Sequence, residues 1–337
     1  MLVGLASLIR HAAWFFKLPL ALPGKLPGRI KDDLRPKARG GLDGPNKRHR
    51  AYMDIPPAIK DFCHANGYGA IRRITPLGGG CINNASRLDT DNGPLFLKVN
   101  DSTPPDMFER EAEGLIVLAA PNAIRVPKVL GAGPNFILQE FVEPGPRRAN
   151  FWETLGQQLA RLHLTTSPRF GFPHDNYIGS TPQINTWEDD GYIFFAEHRL
   201  LYQADLARRN CFLDSPNYQL LITLLSKLPH LIPPQPASLI HGDLWSGNIH
   251  TGPQGEPVLI DPAAHYGWAE ADLAMMTLFG SPPNSFFHAY ASASARPLTP
   301  GYRERFDLYN LYHLLNHLNL FGESYLGSVQ TIIRRYG

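Results

Sequence analysis

Residues 239–250 read LIHGDLWSGNIH: an apolar pair, then His241, Gly242, Asp243, Trp245, Ser246 and Asn248, then an apolar residue. ASLI stands just before this stretch and PVLIDPAAHYG (257–267) just after it. Both are apolar runs of strand length bounded by turn residues. Hydrogen-bonding groups crowded between two buried strands belong at the strand ends. The frame is H-x-D-x-x-x-x-N, and a further carboxylate, Asp261, ends the next strand.

That spacing suits phosphoryl transfer. One carboxylate must orient an attacking hydroxyl and accept its proton, and two oxygen ligands must hold a Mg²⁺ ion that bridges nucleotide phosphates. Asp243 takes the first role, and Asn248 and Asp261 take the second. A tight turn that satisfies its own backbone is the competing reading of Asp243 and Asn248. It leaves the strand-end position of Asp261 unexplained.

The nucleotide clamp should then lie upstream. Residues 71–99, IRRITPLGGGCINNASRLDTDNGPLFLKV, join strand-like runs through a triple glycine and a TDNGP turn, a strong hairpin signal. Alternation in LFLKV sets Lys98 among apolar neighbours, where it can reach the α and β phosphates, with Glu111 on the following helix as its partner. Gly78, Gly79 and Gly80 would fold backbone N–H groups over the phosphates. No G-x-x-x-x-G-K-[ST] loop occurs, and GAGP at Gly131 reads as a plain turn. TPPDMFEREAEGLIVLAA reads as a helix with Thr103 as cap and Pro104 in its first turn. NFILQEFVEPG is a short strand stopped at Pro144 and Gly145. Beyond it NFWETLGQQLARLHL opens with Asn150 and Glu153 in capping-box spacing and sets Phe151, Leu155, Leu159 and Leu162 on one face. RERFDLYNLYHLLNHLNLFGESYL is another apolar-rich helix. The organisation is a leader (1–50), a strand-rich lobe (51–145), a hinge near Glu140 to Pro146, and a larger helical lobe (146–337).

Composition limits the remaining classes. A chain of 337 residues, 43% hydrophobic and 18% charged, is too apolar for disorder and can bury a large core. Its net charge of +2 is unevenly placed: residues 1–50 carry 11 Lys or Arg against 3 Asp, and the remainder is net −6. The body therefore offers no basic field for nucleic acid. The leader's apolar run is interrupted by Arg10, Lys17 and prolines and is too short for a membrane span; it is an imperfect secretory signal and, with one Ser, a weak transit peptide, so membrane association or targeting stays open. A disordered or misassigned start and a loosely membrane-associated amphipathic segment both stay open. Leu273–Ala295 lacks Asp, Glu, Lys and Arg, but Pro282, Pro283 and Asn284 exclude a membrane helix. Three widely spaced cysteines argue against a disulfide framework and for a reducing, cytoplasmic compartment. Cys63 and Cys211 read as core or helix residues. Cys81, in the glycine-rich loop, is either an oxidisable exposed thiol or a small packed residue.

Taken together, LFLKVN, MFEREAEGL, TPQINTWEDDGYIFFAEHRL, HGDLWSGN, DPAAHYGWAEADLA and LNLFGESY resemble the fructosamine kinase (ketosamine 3-kinase) family, from about residue 55 to 336. The resemblance implies an α+β, bilobal, protein-kinase-like fold: a small antiparallel N-terminal lobe with one helix, and a larger, mostly helical C-terminal lobe. It implies ATP and Mg²⁺, and transfer of the γ-phosphate to the C3 hydroxyl of a ketosamine, a small molecule or a glycated protein lysine, leading to deglycation. It places adenine against the backbone of Glu140, Phe141 and Val142. Trp245 either stacks on the sugar or packs the loop, and Asp189 and Asp190 either face the substrate amine or form a solvated helix start. His241 orders the loop. Trp268 and Ala269 stand where the family usually carries His or Arg, which leaves the local contacts of Glu270 and Asp272 open; both acids are expected to brace the loop. The chain is expected to be a monomer or weak homodimer. Two alternatives differ in substrate or in kind: a kinase for an aminoglycoside, a choline-like amine or another hydroxylated metabolite, and a non-catalytic nucleotide-binding scaffold.

Overall fold

Residues 55–78 and 84–337 are described by the computed structural model; the leader, Gly79, Gly80 and Cys81 lie outside them. The first helix, α1 (Pro57–Ala65), starts on a proline, whose missing N–H costs nothing at a helix start, and buries Ile59 and Cys63 one turn apart. Strands β1 (Ile71–Leu77), β2 (Asn84–Thr90) and β3 (Gly93–Val99) follow as an antiparallel meander. The TDNGP signal becomes a two-residue turn, with Thr90 opposite Gly93. After α2 (Met107–Ala119), β4 (Val129–Gly133) and β5 (Phe136–Glu140) complete a five-stranded sheet in the order β1-β2-β3-β5-β4.

Three expectations for this lobe need correction. It holds two helices among the described residues, because α1 precedes the sheet. Helix α2 begins at Met107, later than a Thr103 cap would set it: Thr103 Oγ1 donates back to Asn100 O, and Asp106 at the cap position is occupied by the hydroxyl of Tyr177 at 2.6 Å. Two consecutive prolines disfavour helical geometry in the residues before them, which delays the start. Gly131 lies in strand β4 at a register shift against β5, so it marks a bulge instead of a turn.

The second lobe opens with α3 (Phe151–His163), which buries Phe151, Leu155, Leu159 and Leu162 as the spacing predicts, although Asn150 makes no side-chain cap bond. Then come β6 (Thr166–Ser167), β7 (Asn176–Ile178), β8 (Thr181–Gln183) and α4 (Gly191–Phe195). A π-helical turn, Ala196–Leu201, leads into α5 (Tyr202–Arg209), followed by α6 (Ser215–Leu231). Strand β9 (Ala237–Ile240) is the centre of a small sheet, flanked by β6 and by β12 (His265–Gly267). Between them β10 (Ile249–Thr251) and β11 (Pro257–Leu259) form a hairpin. The lobe closes with α7 (Ala269–Leu278), α8 (Asn284–Ala293), α9 (Phe306–Phe321) and α10 (Leu326–Tyr336). The uncharged stretch 273–295 is thus divided between α7 and α8 by Pro282 and Pro283, and no helix among the described residues is long and apolar enough to cross a membrane. Cys63 is buried as expected; Cys211 is exposed just past α5, with φ of 61°.

The connection between lobes is stitched to the β10–β11 hairpin. Gly145 N–H donates to Thr251 O at 3.3 Å, Arg148 N–H to Gly255 O at 3.2 Å, and His250 Nε2 to Val142 O at 3.2 Å. Arg125 adds side-chain bonds, to Glu140 at 2.6 Å and to Glu256 at the hairpin's tip.

The tightest helix contact is between α3 and α8. A Cβ at Gly156 would collide with Phe286 O and lie 2.9 Å from Tyr290 N, both backbone atoms that cannot swing aside. Gly156→Ala is expected to destabilise the protein by about 2 kcal/mol or more through overpacking, measured as a shift of the denaturant midpoint.

Candidate active site

His241, at the exit of β9, is a structural hub. Its Nε2–H donates to Ile260 O at 2.9 Å and its Nδ1 accepts from Asp243 N–H at 3.2 Å, so both ring nitrogens are used by a neutral imidazole. Burial, outweighing nearby carboxylates, lowers its basicity further. The buried carboxylate of Asp272, on α7, accepts His241 N–H at 2.8 Å and Gly242 N–H at 2.9 Å, while His163 Nε2 lies 3.2 Å away and Tyr290 Oη donates to His163 Nδ1 at 2.7 Å. Burial pushes this carboxyl up, but the hydrogen bonds and charge of His163 and the His241 contacts hold it below the usual range. Gly242 has φ of 81°, and a Cβ there would strike Ala263 O, so only glycine fits this turn.

The loop so held presents Asp243 and Asn248 together. Asn248 Nδ2 donates to Asp243 O at 2.8 Å and Oδ2 at 3.1 Å, and reaches Asp261 O at 3.4 Å. Burial raises the Asp243 carboxyl to about 7, with the Asp261 and Asp272 charges adding to it and the Asn248 hydrogen bond opposing. A carboxyl poised near neutrality can both orient a hydroxyl and take up its proton.

Lys98, on β3, ties this loop region to the first lobe. Its buried ammonium donates to Glu111 at 2.8 Å and to Asp261 at 2.5 Å. Burial favours the neutral amine, but the two carboxylates overcome it and hold the group charged above the usual lysine range. Gln139 Nε2 donates to Glu111 at 3.1 Å, fixing that carboxylate in turn. The sequence-predicted set Lys98, Glu111, Asp243, Asn248 and Asp261 is therefore brought into one chain of contacts.

The oxygens suit a hard divalent cation. Asn248 spends its amide N–H groups on the loop, which leaves Oδ1 without a partner among the described residues, and Asp261 gives one oxygen to Lys98 and stays 43% exposed. Its φ of 55° lies in the left-handed region, a strain that Asp tolerates better than most residues. One neutral and one anionic oxygen match the sparse protein coordination of Mg²⁺, which keeps waters and phosphates as its other ligands. On the connecting segment, Glu140 is engaged by Arg125, Arg87 lies 4.6 Å over the Phe141 ring, and Val142 O accepts from His250. The Val142 N–H has no backbone partner among the described residues. Gly78 is exposed at the end of β1; Gly79, Gly80 and Cys81 lie outside the described residues.

Other predicted contacts are resolved differently. Asp190 caps α4, accepting Tyr192 N–H at 2.7 Å, and Asp189 is exposed, paired with Arg169 at 2.7 Å. Trp268 is buried among Phe170, Tyr192, Phe195 and Tyr309. Asp272 braces the loop, whereas Glu270 binds Arg305 and Tyr309 instead. Trp245 lies against Gly247 and meets Phe279 edge-on at 5.9 Å. Beyond Phe279 the rings continue through His317, at 5.3 Å, to Phe321 and Tyr325. Phe279 and Phe321 are 45% and 52% exposed, and the buried His317 Nδ1 has no partner. This aromatic band beside the loop was not read from the sequence; the helical spacing of His317, Phe321 and Tyr325 was its only signal.

Known proteins are similar to this chain in sequence and fold. The fructosamine kinase family model matches residues 58–336. The chloroplastic protein-ribulosamine 3-kinase of Arabidopsis thaliana is 46% identical over 276 residues, covering 79% of this chain and 83% of that one. A solved structure from Thermobifida fusca, assigned to the fructosamine-3-kinases, superposes with a TM-score of 0.75 at 34% identity, covering 81% of this chain and 96% of that one. An ADP-bound aminoglycoside phosphotransferase, at 13% identity and a TM-score of 0.54, covering 83% of this chain and 97% of that one, shares the fold.

Asp272 offers a direct check of how the loop is held. Asp272→Asn should cost about 3 kcal/mol of stability by breaking a buried charged network and lower turnover at least tenfold. Because the folded carboxyl lies below its ordinary value, its contribution is present above about pH 4 and is lost as pH falls through the folded value. Unfolding free energies of wild type and variant should therefore converge on acidification; a gap that widens would contradict the assignment.

Proposed function

The chain belongs to the fructosamine kinase family and is an ATP-dependent phosphotransferase acting on a hydroxyl, and from that premise we propose that it phosphorylates C3 of ketosamines. The substrates are ribulosyl or fructosyl adducts of small amines or of protein lysines. The observation that carries this reading is the convergence of Lys98, Glu111, Asp243, Asn248 and Asp261, drawn from both lobes, on one cleft. We read residues 51–145 as the nucleotide lobe and 146–337 as the catalytic and substrate lobe.

In this mechanism Asp243 orients the C3 hydroxyl and accepts its proton as phosphate transfers. Lys98, held by Glu111, turns from Asp261 toward the nucleotide phosphates, and the Val142 N–H receives the adenine ring. Asn248 and Asp261 would hold Mg²⁺, which neutralises phosphate charge when bound. Trp245 and the neighbouring rings suit the sugar face and the protonated amine, since aromatic faces attract cations. A C3 phosphate beside the C2 ketone becomes an allylic leaving group once the enaminol forms. Its departure leaves an imine that water hydrolyses, releasing the amine unglycated. We place the enzyme in a reducing compartment: the cytoplasm, or an organelle if residues 1–50 act as a targeting leader, as the plant relative's chloroplastic designation suggests.

Purified protein should transfer phosphate from ATP to ribulosyl- or fructosyl-lysine and release free lysine. Asp243→Asn should lose about 10²–10⁴-fold in turnover while its affinity for ATP stays within about threefold. Wild-type rates from that variant, or phosphorylation of kanamycin or choline in place of every ketosamine, would overturn the reading.

A further inference from the structure

A cavity of about 240 Å³ opens beside the 241–248 loop. Its walls include Arg147, Trp152, Ser246, Ile249, Met276 and Ser281. Ser246 is three positions from Asp243, and its hydroxyl has no partner among the described residues, so the cavity borders directly on the reacting loop. The charge on its wall is unusual for the surrounding protein. Residues 51–337 are net negative, and Asp243, Asp261 and Asp272 crowd the nearby site. Yet Arg147 has no carboxylate within ion-pair distance among the described residues. Its guanidinium is placed by aromatic rings, 4.7 Å from the centroid of Phe151 and 5.1 Å from that of Trp152, with one long bond from Nε to Thr251 Oγ1 at 3.4 Å. Stacking orients the planar cation but leaves most of its N–H groups free, a geometry suited to bidentate recognition of a carboxylate. The N-terminus of α3, which carries Trp152, adds to the attraction, since Asn150 gives it no side-chain cap.

Resting on the ketosamine-kinase reading, we propose that this cavity is a carboxylate-accepting subsite for the amine half of the substrate. With the sugar held at Asp243, an adduct on the ε-amine of lysine carries its own α-carboxylate at the far end of a flexible side chain. In a glycated protein that carboxylate is an amide, and a neighbouring Asp or Glu would supply the same chemistry. Ser246 would donate a further hydrogen bond, and Trp152, Ile249 and Met276 would cover the aliphatic stem. The subsite thus favours ketosamines with an anionic group next to the glycated amine over neutral or cationic ones.

The test compares ketosyl-lysine with its Nα-acetyl amide, and with acetylated dipeptide amides in which Asp or Ala precedes the ketosyl-lysine. Wild type should show kcat/KM about tenfold higher for the free carboxylate than for the capped amide, the range expected for one charge-assisted hydrogen-bonded pair. Arg147→Met should bring that ratio to about one, and Arg147→Lys should restore part of it. An Asp-over-Ala preference of similar size identifies protein-borne carboxylates as a source; a preference confined to the free α-carboxylate identifies glycated amino acids. Equal rates on carboxylate and amide in wild type, or an Arg147→Met loss that falls equally on both or appears in KM for ATP, would overturn the subsite while leaving the kinase reading intact, since turnover of the capped amide reports that reading separately. Failure of wild type on every ketosamine would overturn both.

Discussion

An ammonium group cannot be buried alone, and the placement of Lys98 organises the molecule around that fact. Its two carboxylate partners come from different places: Glu111 from the helix that backs the sheet, and Asp261 from the turn after β11 in the other lobe. One desolvated charge therefore ties strand, helix and second lobe into a single electrostatic unit, and the cost of burying it is offset only when all three are in place. The left-handed backbone at Asp261 and the Gln139 bond to Glu111 both serve to keep these carboxylates aimed.

A second buried charge does the same for the loop. Asp272 gathers two backbone N–H groups from the 241–242 turn and an imidazole from α3, so three separate elements define where Asp243 stands. The two networks meet at Asn248, whose amide touches both Asp243 and Asp261. Polar groups in such a chain hold one another in place, and geometry at the cleft is inherited from side chains that never face solvent.

Much of this was legible in the sequence because the signals are local. The H-x-D-x-x-x-x-N frame, the strand-end Asp261, the TDNGP turn and the face of α3 are patterns of adjacent or periodic residues, and each maps to the element expected. Glu111 was legible as a partner because few residues separate it from Lys98. The rest depends on contacts between distant segments. His163 meets Asp272 across 109 positions, and Trp245 meets Phe279 only because α7 ends beside the loop. Local signals also failed where tertiary contacts competed: Asp106 was drawn away from capping by Tyr177, and Glu270 from the loop by Arg305. The exposed thiol of Cys211 follows from a backbone reversal just past α5, which no spacing of apolar residues announces.

The stitched connection between the lobes has a mechanical meaning. Hydrogen bonds from Gly145, Arg148 and His250, reinforced by the bridge from Arg125 to Glu140 and Glu256, fasten the segment after β5 to the β10–β11 hairpin. That segment behaves as a fixed rail of the larger lobe, and the pivot for any opening of the cleft is displaced toward the five-stranded sheet. The backbone that would grip adenine then travels with the loop that carries Asp243, so the distance between base recognition and the reacting centre is a constant of the larger lobe. Only the grip that Lys98 would have on the phosphates varies as the sheet swings.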